Sequence, residues 1–216
     1  NGGYNISCAG ASDGIIDLTV LYGTPPYSVS WGNGETTEDI SGLSAGIYIV
    51  TVTDANGCEV ISEITLSEPV ELASEITSPT LNGYNISCNG LEDGSLDLIV
   101  SGGIEPYLYL WNTGDATEVI TGLGAGVYLI TITDSNECVH TDSIELIQPS
   151  ELVLNSLDTA LLSCNGDVDG SLTVFATGGV PSFSYSWFNG FSGATALNLA
   201  AGLYTAYVED LNGCSD

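Results

Sequence analysis

The chain of 216 residues contains no Lys or Arg against 28 Asp and Glu, a formal charge of −28 at pH 7, which excludes nucleic acid and anionic membranes as direct partners. An acidic surface of this kind either attracts divalent cations and basic partners or is a solvated coat that aids solubility. With 44% hydrophobic residues the chain still has enough apolar surface to bury cores, which separates it from disordered acidic segments.

In chain order, Asn5-Ile6-Ser7-Cys8 leads through Asp13-Gly14 into an alternating run, with Ile16, Leu18 and Val20 set between Asp17 and Thr19; a period of two predicts a strand with one buried face. Asn5-Ile6-Ser7 and Asn85-Ile86-Ser87 fit the N-glycosylation acceptor pattern and are read here as strand residues. Tyr27, Val29 and Trp31 make a second strand that ends at Asn33-Gly34, a dipeptide suited to a tight hairpin. Leu43-x-Ala45-Gly46-x-Tyr48 reads as a tyrosine corner, in which the hydroxyl ties a crossover loop of a Greek-key sandwich. Tyr48, Val50 and Val52 then form a third strand, Asp54-x-Asn56 makes a turn, and a fourth strand runs from Cys58 to Leu66. No helical period competes with this alternation.

The same series recurs twice. A tryptophan follows the first cysteine by 23 positions and a second cysteine follows by 50 at Cys8, Trp31, Cys58; at Cys88, Trp111, Cys138; and at Cys164, Trp187, Cys214. The chain is a tandem array, and its function must survive repetition. Pro69 and Pro149 each open a Pro-x-Glu-Leu segment, which sets repeats at 1–68, 69–148 and 149–216 joined by linkers too short to swing freely. The first repeat lacks the Pro-x-Glu-Leu strand and the third stops two residues after Cys214 without its last strand. Together with the absence of Met, a signal peptide and a membrane span, this reads as a window on a longer array.

About seven short strands per unit predict an all-β fold of tandem immunoglobulin-like Greek-key β-sandwich domains. Trp31, Trp111 and Trp187 pack in the cores, and Tyr48, Tyr128 and Tyr204 form the tyrosine corners. Three equally spaced cysteine pairs predict one disulfide per domain, Cys8–Cys58, Cys88–Cys138 and Cys164–Cys214. Each would close a loop of about 50 residues, worth about 4 kcal/mol in the chain-entropy model, and disulfides imply export.

The chemistry-bearing residues are few. Asp13, Asp93 and Asp169 follow the first cysteines, with Asp167 added in the third repeat; Asp54 and Asn56, Asp134 and Asn136, and Asp210 and Asn212 precede the second ones. A disulfide within each repeat would bring the two sets together. Converging carboxylate and amide oxygens suit calcium, the one cofactor considered, whereas Asp-Gly and Asp-x-Asn-Gly are also ordinary turn formers that bond their own backbone. The spacing lacks the twelve-residue loop and terminal Glu of a calcium loop. His140 is the one histidine, no Lys or Arg supplies a base or oxyanion partner, and no insertion builds a cleft, so the chain reads as non-enzymatic. A carbohydrate-binding module is the rival reading; it needs exposed aromatics, and Phe188 and Phe191 are the one such cluster.

The strings Asn-Ile-Ser-Cys-Asn-Gly (85–90), Gly-Gly-Ile-Glu-Pro-Tyr (102–107), Gly-Leu-x-Ala-Gly-x-Tyr (122–128) and Thr-Asp-x-Asn-x-Cys (133–138), repeated in order across the chain, resemble SprB-type repeats of giant gliding adhesins on the surface of Bacteroidota. The third repeat departs from the pattern with Asn198 where Gly42 and Gly122 stand and Pro181-Ser182 for Pro25-Pro26. The resemblance implies type IX secretion, association with the outer membrane, and service as stalk or filament repeats of an adhesin used for surface attachment and gliding. The implied partners are neighbouring repeats, a surface polysaccharide or substratum, and the gliding and secretion machinery. The alternative is a carbohydrate-binding or accessory module of a secreted multidomain protein. Asp142-Ser143-Ile144 and Asp158-Thr159-Ala160 resemble the short O-glycosylation motif of that phylum, with Ser143 and Thr159 as acceptors.

Overall fold

Alternating apolar residues become strands throughout, and no helix forms among the described residues. The computed structural model describes all residues except 1, 2, 161 and 165 and the side chains of 157–159. The first repeat contributes β1 (Gly14–Ile16), β2 (Ser28–Trp31), β3 (Ile40–Leu43), β4 (Gly46–Thr53) and β5 (Glu59–Leu66). The second contributes β6 (Ala73–Thr77), β7 (Gly94–Ser101), β8 (Leu108–Trp111), β9 (Val119–Leu123), β10 (Gly126–Thr133) and β11 (Val139–Leu146). The third contributes β12 (Val153–Ala160), β13 (Gly170–Thr177), β14 (Ser184–Trp187), β15 (Thr195–Leu199) and β16 (Ala206–Glu209).

The middle repeat carries the fullest strand set, with sheet orders β6-β7-β9 and β11-β10-β8. Its first, second and fourth strands share one sheet and its third, fifth and sixth share the other, which is the immunoglobulin-like Greek-key division. The first repeat repeats this order as β1-β3 and β2-β4-β5, and the third as β12-β13-β15 and β14-β16. The strand β1 spans only three residues where β7 and β13 span eight. The reason is its lack of a strand equivalent to β6 or β12 along its outer edge: β1 pairs with β3 alone, and a strand with one partner loses half its ladder bonds.

By packing, the chain gathers into two compact units, one of residues 1–75, 99–116 and 130–142 and the other of 76–98, 117–129 and 143–216. Both draw on the middle repeat. In the first unit the core is Ile6, Ile16, Trp31, Ile40, Leu43, Val50, Val52 and Leu66, all buried, with Val29 and Tyr48 packed against them. Burying side chains of this size contributes roughly 1.5–3 kcal/mol each. In the second unit Val174, Trp187, Ala196 and Leu199 form the core of the third repeat. All three tryptophans are buried; Trp31 donates its indole N–H to the Thr37 carbonyl and Trp187 to that of Gly193, each at 2.9 Å.

Local structure corrects one expectation and bears out another. Asn5-Ile6-Ser7 and Asn85-Ile86-Ser87 are bends rather than strands: Ile6 and Ile86 plug the cores with no exposure, while Asn5 Oδ1 accepts from the Ser67 N–H and Asn85 Oδ1 from that of Ile147, both at 3.0 Å. The Asn33-Gly34 turn does close on itself, with the Gly34 N–H donating to Trp31 O at 3.0 Å. The chain beyond it then crosses to the other sheet, where β3 pairs with β1 instead of returning along β2.

Candidate functional site at the repeat junctions

The turn between the last two strands of each repeat is built around one aspartate. In the first repeat, Asp54 Oδ1 accepts the N–H groups of Asn56 (2.8 Å) and Cys58 (2.9 Å), while Oδ2 accepts that of Thr24 (3.1 Å). Asp134 does the same with Asn136 (2.8 Å), Cys138 (2.9 Å) and Ile104 (2.9 Å). Asp210 takes Asn212 (2.9 Å), Cys214 (2.9 Å) and Val180 (2.8 Å). A carboxylate that accepts several backbone N–H groups is held in its charged form. Hydrogen bonds from the N–H groups of Cys58 and Thr24 accordingly depress the Asp54 carboxyl below its ordinary value.

The bend that carries the first cysteine has a second aspartate. Ser7 donates its N–H to Asp13 Oδ1 at 3.2 Å, Ser87 donates its N–H to Asp93 at 3.1 Å and its hydroxyl to the other oxygen, and Ser163 donates its N–H (3.2 Å) and hydroxyl (2.6 Å) to Asp169. The Ser163 hydroxyl also reaches Asp167 at 2.8 Å. These serine bonds, the side-chain ones first, hold the carboxyls of Asp13, Asp93 and Asp169 below the ordinary range. The aspartates weighed as calcium ligands accept hydrogen bonds from their own turns and bends. Among the described residues no three His, Cys, Asp or Glu side chains gather as a metal site.

The disulfides join different repeats. Cys8 bonds Cys138 and Cys88 bonds Cys214, each with a Cα–Cα distance of 5.7 Å, while Cys58 and Cys164 are exposed thiols outside these bonds. This overturns the pairing of Cys8 with Cys58, Cys88 with Cys138 and Cys164 with Cys214. The first repeat shows why. Cys58 stands immediately before the eight-residue β5, whereas the Cys8 bend lies at the far end of that strand: the N–H groups of Asn5 and Ile6 donate to Ser67 O at 3.0 and 3.1 Å, and that of Gly10 to the Glu68 carboxylate at 2.7 Å. Eight residues at about 3.3 Å each separate the two cysteines by about 26 Å, far beyond the span of one disulfide. The first cysteine of a repeat and the second cysteine of the next are the ones that meet.

Around each disulfide the asparagine of the turn locks onto the bend. Asn136 Nδ2 donates to the Ser7 carbonyl and Asn212 Nδ2 to that of Ser87, both at 2.8 Å; Asn82 Nδ2 in turn donates to Asn212 Oδ1 at 2.6 Å. The Pro-x-Glu-Leu linker passes through the same place. Gly103 N donates to Val70 O at 2.8 Å and Gly179 N to Ser150 O at 3.0 Å. Gly102 has φ +71° and Gly178 φ +73°, and a Cβ on either would fall 1.9 or 1.8 Å from the carbonyl oxygen of Glu71 or Glu151. Only glycine admits the linker here. The first repeat has Tyr22 at this position, 88% exposed.

The remaining sequence candidates are dispersed. The hydroxyls of Tyr48, Tyr128 and Tyr204 donate to the carbonyls of Ser44, Gly124 and Ala200, four residues upstream, at 2.9, 2.9 and 3.0 Å, the tie that a tyrosine corner makes. Burial, with Glu92 nearby, raises the Tyr128 hydroxyl above its ordinary value. His140 is half-buried and Ser143 exposed on β11, and the Thr159 side chain lies outside the described residues. Phe188 is 85% and Phe191 38% exposed, at the turn after β14.

The family described as the SprB repeat matches this chain at residues 4–36, 82–116 and 159–191. No curated protein matches it. Among solved structures the chain is similar to the amphioxus IgVJ-C2 molecule, at 13% identity over 63% of this chain and 97% of that one, with a TM-score of 0.29. It is also similar to the N-terminal eight Ig domains of Down Syndrome Cell Adhesion Molecule isoform 1.30.30, at 14% identity over 95% of this chain and 33% of that one, with a TM-score of 0.35.

Proposed function

We propose that this chain, a run of three SprB repeats, is a stretch of non-enzymatic extracellular stalk in a cell-surface adhesin, with repeats at 1–68, 69–148 and 149–216 as its building blocks. The observation that carries the reading is the stagger of the disulfides: the first cysteines of the first two repeats, Cys8 and Cys88, are bonded to the second cysteines of the repeats that follow, Cys138 and Cys214. Disulfides persist in oxidising, extracellular surroundings. Staggered in this way they shorten the covalent path along which tension travels. From residue 8 the path crosses to 138, returns along the chain to 88 and crosses to 214. Fully unfolded, the oxidised chain then extends over about 60 residues, about 200 Å, and the reduced chain over all its residues, about 700 Å. A stalk that holds an adhesive element away from the cell under drag gains from that limit. Gliding motility, type IX secretion and outer-membrane association belong to the same reading and come from the SprB resemblance.

Pulling the chain by its ends, with and without reductant, tests the mechanical part: about 200 Å against about 700 Å is expected, and equal extension in both states contradicts it. Carbohydrate binding is the second reading, favoured by the exposure of Phe188 and Phe191. Glycan-array binding by the chain that is lost in Phe188→Ala would move the assignment there, whereas an inert chain keeps the stalk.

A further inference from the structure

An asparagine followed by glycine can cyclise on itself, because the glycine carries no side chain to hinder attack by its nitrogen on the asparagine amide. Among the described residues this dipeptide begins at Asn33, Asn56, Asn82, Asn89, Asn189 and Asn212. Attack needs the glycine nitrogen free, and most of these are held. Gly34, Gly57, Gly190 and Gly213 donate their N–H groups to the carbonyls of Trp31, Asp54, Trp187 and Asp210 at 3.0, 3.0, 2.9 and 3.1 Å, and Gly90 donates to Gln148 Oε1 at 2.8 Å. Gly83 is the exception. It lies in a two-residue hairpin whose outer pair, Leu81 and Tyr84, exchange both N–H bonds at 2.8 and 3.1 Å, with φ +50° at Asn82 and +90° at Gly83. A turn of this kind bonds its outer residues and leaves the central ones to water. The Gly83 N–H has no acceptor among the described residues, and both central residues are exposed. We propose that Asn82 is a site of self-modification, deamidated by its own backbone, and that the change loosens the Cys88–Cys214 junction.

The Gly83 nitrogen, on losing its proton to hydroxide, attacks Cγ of Asn82; the new N–Cγ bond closes a succinimide ring, the Cγ–Nδ2 bond breaks, and ammonia leaves. Water then opens the ring. Cleavage of the N–Cγ bond gives aspartate on an unchanged backbone, whereas cleavage between that nitrogen and the main-chain carbonyl of residue 82 gives isoaspartate, whose backbone runs through the side chain. One water is consumed and one ammonia released, with no oxidant or reductant. The cost falls on the junction. Asn82 Nδ2 donates to Asn212 Oδ1 at 2.6 Å, and Asn212 Nδ2 donates to the Ser87 carbonyl at 2.8 Å, beside the disulfide. A carboxylate only accepts, so the product leaves Asn212 Oδ1 facing another oxygen. Turning the Asn212 amide to meet it would withdraw the donor from Ser87.

The test ages the full, oxidised chain at mildly alkaline pH and locates conversion of amide to acid by peptide mass mapping after cleavage at Asp and Glu. Asn82 is expected to convert about tenfold faster than any other Asn-Gly site among the described residues, the factor that one backbone hydrogen bond supplies. Hydrogen exchange then reads the junction. In Asn82→Asp, which carries the product charge without ageing, the N–H groups of Asn212 and Cys214 should exchange about fivefold faster than in the unaltered chain, while those of Asn136 and Cys138 keep their rate. Conversion led by another of these asparagines, equal conversion at all of them, or unchanged exchange at Asn212 and Cys214 in Asn82→Asp would each overturn the proposal. The stalk reading does not depend on the outcome, because the force measurement is made on fresh chain.

Discussion

Removing one inter-repeat disulfide while sparing the free thiol separates the staggered pairing from a within-repeat one by stability alone. In Cys8→Ser/Cys138→Ser the closed segment of 130 residues is opened, which in the chain-entropy model removes about 5 kcal/mol if the whole chain unfolds together, and about 4 kcal/mol if the first repeat unfolds on its own between its cysteine and its linker. Loss of the Asn136 bond to the Ser7 carbonyl adds about 1 kcal/mol if the junction loosens. Cys58→Ser changes an exposed thiol that is bonded to no other sulfur and is expected to cost no more than about 0.5 kcal/mol. Urea unfolding under non-reducing conditions, followed by the fluorescence of the three buried tryptophans, reads both variants. The expected midpoints are a large drop for the double variant and almost none for Cys58→Ser. A large loss in Cys58→Ser would refute the reasoning, because a Cys8–Cys58 bond would make Cys58 a bonded cysteine.

Four further outcomes follow from the geometry. Asp54 has a depressed pKa when folded, through the N–H groups of Cys58 and Thr24, so its contribution is present above the unfolded value near 3.9 and lost as pH falls through the folded one; the stability gap between the unaltered chain and Asp54→Asn should hold from pH 5 to 8 and close below about pH 4. A gap that persists at low pH would contradict the assignment. Gly102→Ala places a Cβ on the Glu71 carbonyl at positive φ and should cost upwards of about 2 kcal/mol, whereas Gly114→Ala, with open space at φ +93°, should cost only about 1 kcal/mol; equal costs in denaturant titration would remove the linker contact from the account. Tyr128→Phe removes the bond to Gly124 O and should cost about 1 kcal/mol, with a negligible loss counting against the tyrosine corner. Calcium should leave the melting temperature unchanged relative to chelator, since the Asp54, Asp134 and Asp210 oxygens already accept backbone N–H groups; a rise of several degrees would restore the cation reading.

Much of this architecture was legible in the sequence, and what was not has a definite physical cause. The alternation of Tyr48, Val50 and Val52 located β4, and the recurring Leu-x-Ala-Gly-x-Tyr string located the tyrosine corners, because both signals are local. The cysteine partners were not legible from spacing. In an array with fixed register, pairing within a repeat and pairing to the next repeat are equally regular, so regularity cannot choose between them. The strand β5 does choose, since it begins beside Cys58 and ends beside the Cys8 bend; counting its eight residues as length would have placed the two thiols at opposite ends of one sandwich. The junction glycines were missed for a related reason. Gly102 and Gly178 are matched by Tyr22, and the difference acquires meaning only when the linker is seen to pass across that position. Asn5-Ile6-Ser7 and Asn85-Ile86-Ser87 read as strand in the sequence but fold as bends, because Ile6 and Ile86 are each a single core plug rather than one term of an alternation.

The central claim is that these repeats are stapled to one another. Cleavage on the acidic side, at Asp and Glu, under non-reducing conditions followed by mass mapping tests it most directly, since the chain has no Lys or Arg for trypsin. The account predicts peptides that join Cys8 to Cys138 and Cys88 to Cys214, with Cys58 and Cys164 outside both bonds. Recovery of Cys8 bonded to Cys58, or Cys88 to Cys138, would contradict it.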